Sequence, residues 1–292
     1  MPTLPPEPFP AGEAHQVRGL AESFGAEAAR YDRTRPTYPE EMVDAVLGAS
    51  PGRRVLDVGI GTGISARPFI SRGCSVLGVE PDEQMAEHAR RSGLVVEVAR
   101  FEEWEPKGRV FDLVVAGQSW HWVDPLLGAE KAADVLEPGG RLAVFWNVMA
   151  FPDDLGEAFA AVYRSVLPEI PMFAGGMPGG LCSYSPLHDK AAGAIAETAR
   201  FSVPERWSFD WQREYTTAEW LEQVPTFGGH SRIPPERLTE LLAGIGGVLD
   251  ANGGSFTMGY VAVVVTATRE DAGTVGAPTA RAPQSRGWES RG

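Results

Sequence analysis

This chain is short of positive charge. Across 292 residues, 26 Lys and Arg stand against 39 Asp and Glu, for a formal net charge of -13 at pH 7. Nucleic acid and anionic membrane surfaces are held by clustered Lys and Arg, so neither is expected as a partner, and a small-molecule substrate fits the balance better. Cysteine is scarce too, with only Cys74 and Cys182. They lie far apart in different settings, which supports neither a disulfide framework nor a zinc site. His15, His88, His188 and His230 show no ligand spacing and read as surface or loop residues, so no metal is expected. No run approaches the roughly 18 apolar residues of a membrane span. The opening MPTLPPEPFPAGEAHQ has neither a basic start nor an apolar stretch, so no signal peptide is expected and the cytoplasm is the expected location. Internal repeats are absent as well.

What is present is an ordinary globular composition, 43% hydrophobic and 22% charged. Residues 1–22 are proline-rich and read as a flexible leader, and the polar stretch 269–292 reads as a disordered tail. Between them, residues 23–268 are expected to form a single domain. An amphipathic helix carrying Met42, Val43, Val46 and Leu47 on one face stops at Pro51-Gly52. From there strands are expected near 54–58, 75–80, 94–98, 110–116 and 141–147, with helices near 63–72, 82–92 and 124–136 between them. The strands are apolar almost throughout, as in a parallel sheet covered on both faces. Further helices are expected near 153–166, 187–199, 217–223 and 234–250, with strands near 203–215 and 256–266. A substrate-side insertion is expected near 168–199, its Gly-, Pro- and Met-rich part from Pro168 to Pro186 being either a lid or a disordered loop.

The most informative stretch runs from Arg53 to Glu80. The strand Val55-Leu56-Asp57-Val58 ends on Gly59-Ile60-Gly61-Thr62-Gly63, where missing β-carbons let a ligand lie against the backbone. Glu80 closes the next apolar run, where a carboxylate can accept hydrogen bonds from a ribose diol. Three adenosine-type cofactors compete for this layout. A triphosphate loop needs a lysine after its last glycine, and Ile64-Ser65 follow Gly63 instead. The dinucleotide fingerprint wants a glycine at Ile64, so NAD is weakened without being eliminated. The third reading uses Asp57, two residues before the first glycine, to hold a water or an ammonium group.

The motif from Asp57 to Gly63, with Glu80 after the second strand, resembles the S-adenosyl-L-methionine site of class I methyltransferases. The opening FGAEAARYDRTRPTYP, the stretch from Gly117 to Asp124 and the stretch from Val135 to Leu142 are similar to the methyltransferase-11-like group that includes trans-aconitate methyltransferases. The resemblance covers about Phe24 to Asn147. It implies a doubly wound α/β fold whose seven-stranded, mostly parallel sheet has the order 3-2-1-4-5-7-6 with strand seven antiparallel. It also implies that Gly59, Gly61 and Gly63 line the methionine moiety, that Glu80 binds the ribose, and that Pro81 and Met85 pack near the adenine. Tyr31 and Arg35 match positions near the methionine carboxylate, and Thr62 and Gln118 join the implied cofactor set. Many relatives carry an acid after strand three for the adenine amine. Arg100 stands there in this chain, followed by Phe101, which leaves the adenine to backbone groups and to packing by Phe101.

His121 is the candidate base, because it follows strand four where α/β ligand sites lie, although its flanking tryptophans make a plain packing role credible. Trp120, Trp122, Trp146 and Phe145 read as core or pocket wall. The acceptor remains open among carboxylate, hydroxyl, amine and carbon nucleophiles. The competing functions are a nicotinamide-dependent oxidoreductase and a binding protein of the same fold without methyl transfer.

Overall fold

The computed structural model describes residues 27–168 and 181–270. The expected leader, the tail from 271 onward and residues 169–180 of the expected insertion lie outside the described residues, as do the side chains of 181–183, Cys182 among them.

One sheet organises the described chain. Its strands are β1 (Arg54–Val58), β2 (Ser75–Glu80), β3 (Val95–Val98), β4 (Phe111–Gly117), β5 (Leu136–Ala150), β6 (Glu205–Thr216) and β7 (Ser255–Thr268). Their order is β3-β2-β1-β4-β5-β7-β6. The first five strands run parallel, and β7 is antiparallel to both β5 and β6. This is the doubly wound α/β sheet that the resemblance implies.

Both faces of the central strands are apolar because helices cover both. Leu56, Val58, Val114, Ala116, Val144 and Trp146 face one way, in a core shared with Ala129, Ala132 and Ala133 of α5 (Pro125–Val135) and with Ala191 and Ile195 of α7 (Leu181–Glu197). Val55, Leu113, Val115, Ala143 and Phe145 face the other way, against Met42, Val43 and Val46 of α2 (Glu40–Gly48) and Phe69 of α3 (Ala66–Ile70). Each fully buried aliphatic or aromatic side chain contributes roughly 1.5–3 kcal/mol to such a core.

Caps set the crossover helices. Asp82 accepts from the Gln84 and Met85 N–H groups at the start of α4 (Glu83–Arg91), and Asp124 does the same for Leu126 and Leu127 at the start of α5. Pro125 then occupies the first helical position of α5, where a missing N–H is harmless.

The structure departs from the sequence expectations at three places. A helix α1 (Ala28–Thr34) precedes α2; its sequence AARYDRT is too short and polar to show a periodic apolar face. Strand β5 begins at Leu136 rather than near 141, because Leu136 pairs with Phe111 before a register shift resumes pairing at Leu113 and Arg141. Helix α7 begins at Leu181 and carries Pro186 inside it, whereas the proline reads in sequence as the end of a loop.

Strands β5, β6 and β7 reach further than β1–β4. The β5–β7 ladder continues to Ala150 and Gly259, and the β6–β7 ladder to Thr216 and Ser255. Against these extensions pack α6 (Asp153–Val166), α8 (Thr217–Gln223) and α9 (Pro235–Ala251), around an aromatic cluster that includes Phe159, Tyr215, Trp220 and Phe227. Edge-to-face contacts such as Phe159 with Phe256, and Tyr215 with Trp220, hold it together. Through Phe227, whose ring lies 4.9 Å from the Arg35 guanidinium, this block backs the segment that follows α1.

Candidate functional site

A cavity opens at the carboxyl ends of β1, β2 and β4, where the strand order reverses and α/β folds bind ligands. Its floor is the glycine turn. Gly59 and Gly61 have φ of 68° and 56°, the left-handed region that glycine enters at little cost. They differ in what surrounds them. A β-carbon on Gly59 would lie 2.5 Å from Ser119 Cβ, so this glycine lets two backbones meet. One on Gly61 would meet nothing within 4 Å, so this glycine faces open space. Gly63 is outside the cavity wall; its missing β-carbon makes room for Leu94.

Two carboxyl groups stand under the turn. Glu80, at the end of β2, lines the cavity and accepts from Gly61 N–H at 2.8 Å through Oε2 and from Asp82 N–H at 2.9 Å through Oε1. Burial raises its pKa to about 7 even though both N–H groups pull the other way. Asp57 is fully buried behind the wall, and Ser65, whose hydroxyl donates to Asp57 Oδ2 at 2.7 Å, lines the cavity in front of it. Asp57 Oδ1 has no hydrogen-bond partner, and burial holds this carboxyl at about 7 as well.

The opposite wall comes from α1 and the segment after it. Arg35 lines the cavity with its guanidinium between the Tyr31 and Phe227 rings, 4.9 Å from each centroid. Its Nη2 donates to Thr226 O at 2.5 Å, while its Nε is buried and unpartnered. Helix α1 is strapped down on both sides. Asp32 accepts from Arg67 of α3 at 2.5 Å, and Arg33 pairs with Glu222 of α8. Tyr31, Thr62, Pro81, Met85 and Phe101 also line the cavity, with Arg100 and Glu102 beside Phe101.

With this geometry in place, comparison with known proteins is informative. A family model described as a methyltransferase domain matches residues 56–144, the segment that carries the glycine turn, Glu80 and the strands around them. Residues 56–144 thus carry a methyltransferase domain. An uncharacterized methyltransferase of Mycobacterium tuberculosis is 38% identical over 146 residues, 48% of this chain and 60% of that protein. A ubiquinone biosynthesis O-methyltransferase of Chelativorans is 28% identical over 154 residues, 46% of this chain and 61% of that one. The chain thus spans about three fifths of the length of these curated relatives. Among solved structures, a proposed type II methyltransferase from Anaeromyxobacter dehalogenans matches the fold with a TM-score of 0.59 at 18% identity, covering 80% of this chain and 97% of that one.

The methyltransferase domain gathers most of the expected residues at one cavity, but not His121. That side chain is outside the cavity wall and partly buried, and its Nδ1 accepts from the buried Trp146 Nε1 at 3.3 Å. The contact places the ring proton on Nε2, and burial lowers the imidazole to about 4. Such a group is a weak base whose lone pair is already engaged. Two other histidines depart from the expected surface position. His188 and His230 are 4% and 3% exposed, His188 packing on Trp146 and His230 sharing a 2.8 Å hydrogen bond with Tyr163.

Tyr38 and Asn147 line the cavity of the methyltransferase domain without having stood out in the sequence. Asn147 fastens three segments: its Nδ2 donates to Thr37 O at 2.9 Å, its Oδ1 accepts from Trp211 Nε1 at 3.1 Å, and its backbone oxygen accepts from Gln118 Nε2 at 3.1 Å. A polar residue interrupting the apolar run of β5 near its carboxyl end was the available signal. Among the described residues, no cluster suits a metal ion and no helix is long and apolar enough to cross a membrane.

Proposed function

We propose that this protein transfers a methyl group from S-adenosyl-L-methionine to a small-molecule acceptor. The observation that carries the reading is a pair of buried atoms without hydrogen-bond partners, one on a guanidinium and one on a carboxyl group: Arg35 Nε beside the cavity and Asp57 Oδ1 behind the glycine turn. Buried polar groups call for partners, and an amino acid's carboxylate and ammonium are the matching pair. NAD carries no such group. Glu80 has lone pairs left for a ribose diol after binding Gly61 and Asp82, and the open side of Gly61 leaves room for a ligand.

In this reading Arg35, beside Tyr31, holds the methionine carboxylate, with Asp57 toward the ammonium. Gly59, Gly61, Thr62 and Gly63 form the turn beneath it, and Gln118 stands beyond it, toward the acceptor. Pro81, Met85 and Phe101 form the adenine end. When bound, the cofactor supplies a methyl group on a sulfonium that is its own leaving group. The protein's work is to orient the acceptor and exclude water, which suits a cavity walled by Tyr38, Val123 and Trp122. The M. tuberculosis and Chelativorans relatives, both described as methyltransferases, support the reaction class.

Calorimetry with S-adenosylhomocysteine and with NAD tests the reading. Micromolar affinity for the first and none for the second is expected, and the reverse would sink it. Release of S-adenosylhomocysteine in a screen of acceptors then separates an enzyme from a binding protein.

A further inference from the structure

This inference rests on the methyl-transfer reading and concerns the acceptor. Glu80 and the glycine turn belong to β2 and β1. On the other side of β1, at the ends of β4 and β5, the cavity is lined by Gln118, Tyr38 and Asn147, and this side is what remains for an acceptor.

Gln118 is held there with unusual firmness. Its φ is 55°, a left-handed value that costs a non-glycine residue of order 1 kcal/mol and persists only where the surroundings impose it. Its backbone N–H donates to Phe145 O at 2.9 Å, and its Nε2 donates to Asn147 O at 3.1 Å. The second bond fixes the amide's orientation, because a carbonyl oxygen can only accept, so the nitrogen must face Asn147 and Oε1 must face away from it. Asn147 cannot easily yield, since its own amide is bonded at both ends, to Thr37 and Trp211.

A carboxamide oxygen fixed in this way accepts hydrogen bonds and donates none. It favours a group that brings a hydrogen and repels one that brings only lone pairs. We propose that Gln118 selects acceptors whose nucleophilic atom carries a hydrogen, an alcohol or phenol O–H or an amine N–H, and disfavours carboxylates. Gln118 Oε1 accepts that hydrogen and aims the nucleophile's lone pair into the cavity. In the transfer the lone pair forms the new bond to the methyl carbon, the carbon–sulfur bond breaks with its electron pair going to sulfur, and the nucleophile's proton leaves to water. Gln118 takes no proton; it is a specificity residue.

The test compares the wild-type protein with Gln118→Gly and Gln118→Leu. The glycine variant relieves the left-handed strain and is expected to fold, which a thermal melt verifies. S-adenosylhomocysteine affinity is measured by calorimetry. Turnover is then followed by S-adenosylhomocysteine release over a panel of small phenols, alcohols, amines and carboxylic acids. The expected result is turnover of hydroxyl or amine compounds with the carboxylic acids inert. Both variants should lose about tenfold or more in kcat/KM, the worth of one well-placed hydrogen bond, while product affinity changes little. Preferential turnover of carboxylic acids, unchanged kcat/KM in Gln118→Gly, or a panel whose hydroxyl and amine members all stay inert overturns the proposal. A wild-type protein that fails to bind S-adenosylhomocysteine at all sinks the methyl-transfer reading instead, so the two failures are told apart by the first measurement.

Discussion

Glu80 Oε2 accepts the Gly61 N–H across 2.8 Å, so the acid that ends β2 also shapes the turn that follows β1. Its other oxygen holds Asp82 N–H at 2.9 Å, and Asp82 in turn caps α4. Removing the carboxylate therefore loosens three elements at once. Glu80→Ala is expected to weaken S-adenosylmethionine binding by about a hundredfold, the combined worth of two hydrogen bonds to a charged group. Calorimetry on a variant whose circular dichroism matches the wild type measures this. Glu80→Gln should lower the melting temperature as well, since its amide nitrogen would face one of the two N–H donors.

The glycines of the turn should respond differently to a methyl group. Gly59→Ala drives a β-carbon to 2.5 Å from Ser119 Cβ and is expected to lower stability by more than about 2 kcal/mol. Gly61→Ala meets open space and bears only the left-handed backbone penalty, about 1 kcal/mol, yet it fills the floor of the cavity. Urea titration should rank Gly59→Ala as much the worse for folding. Cofactor titration should show Gly61→Ala binding poorly while still folded.

The two buried carboxyls give stability an unusual pH dependence. Asp57 and Glu80 are raised to about 7 from ordinary values of 3.8 and 4.5, so the folded chain holds protons that the unfolded chain has released. Their contribution is complete below the ordinary values and is lost as pH climbs through 7. His121, His188 and His230, each lowered to about 4 by burial, act in the opposite sense, adding stability as pH rises from about 4 through 6.5. Between pH 6.5 and 8 the tail of that gain offsets part of the carboxyl loss. Each carboxyl is expected to remove on the order of 1 kcal/mol from the ligand-free protein across that window. Thermal melts at constant ionic strength should therefore show Asp57→Asn gaining on the wild type as pH rises from 6.5 to 8. A gap between the two that stays constant across the window would contradict the assignment.

His121→Ala separates the expected base from the observed packing residue. Turnover with saturating cofactor is expected to stay within about threefold of wild type, because the side chain is outside the cavity. Stability should fall by about 1–3 kcal/mol, the penalty for leaving Trp146 Nε1 without its acceptor. A collapse of turnover at unchanged stability would restore His121 as a base.

These cases mark what could be read from the chain alone. The strand-turn-helix around Gly59 and the acid at Glu80 were legible because each signal is local: an apolar run, a glycine spacing, a carboxylate at a strand end. The sheet order followed from the resemblance, and its last two strands fell where the sequence patterns at 203–215 and 256–266 placed them. The positions of His121 and His188 were not legible, because which face of a short turn meets Trp146 depends on how α7 docks far along the sequence. Gln118 and Asn147 belong to the same category. Each is an ordinary polar residue until the bond between them, and the ones to Thr37 and Trp211, are seen.

The arrangement of α1 and β7 bears on how the protein should be handled. Tyr31 and Arg35 of the first described segment line the cavity, whereas β7 ends beside Arg141 and the Gly139-Gly140 turn, at the opposite end of the strands. A fusion partner or surface tether attached ahead of residue 27 would hang at the entrance and compete with whatever enters. One attached after residue 270 would leave from the opposite end of the strands, away from the cavity.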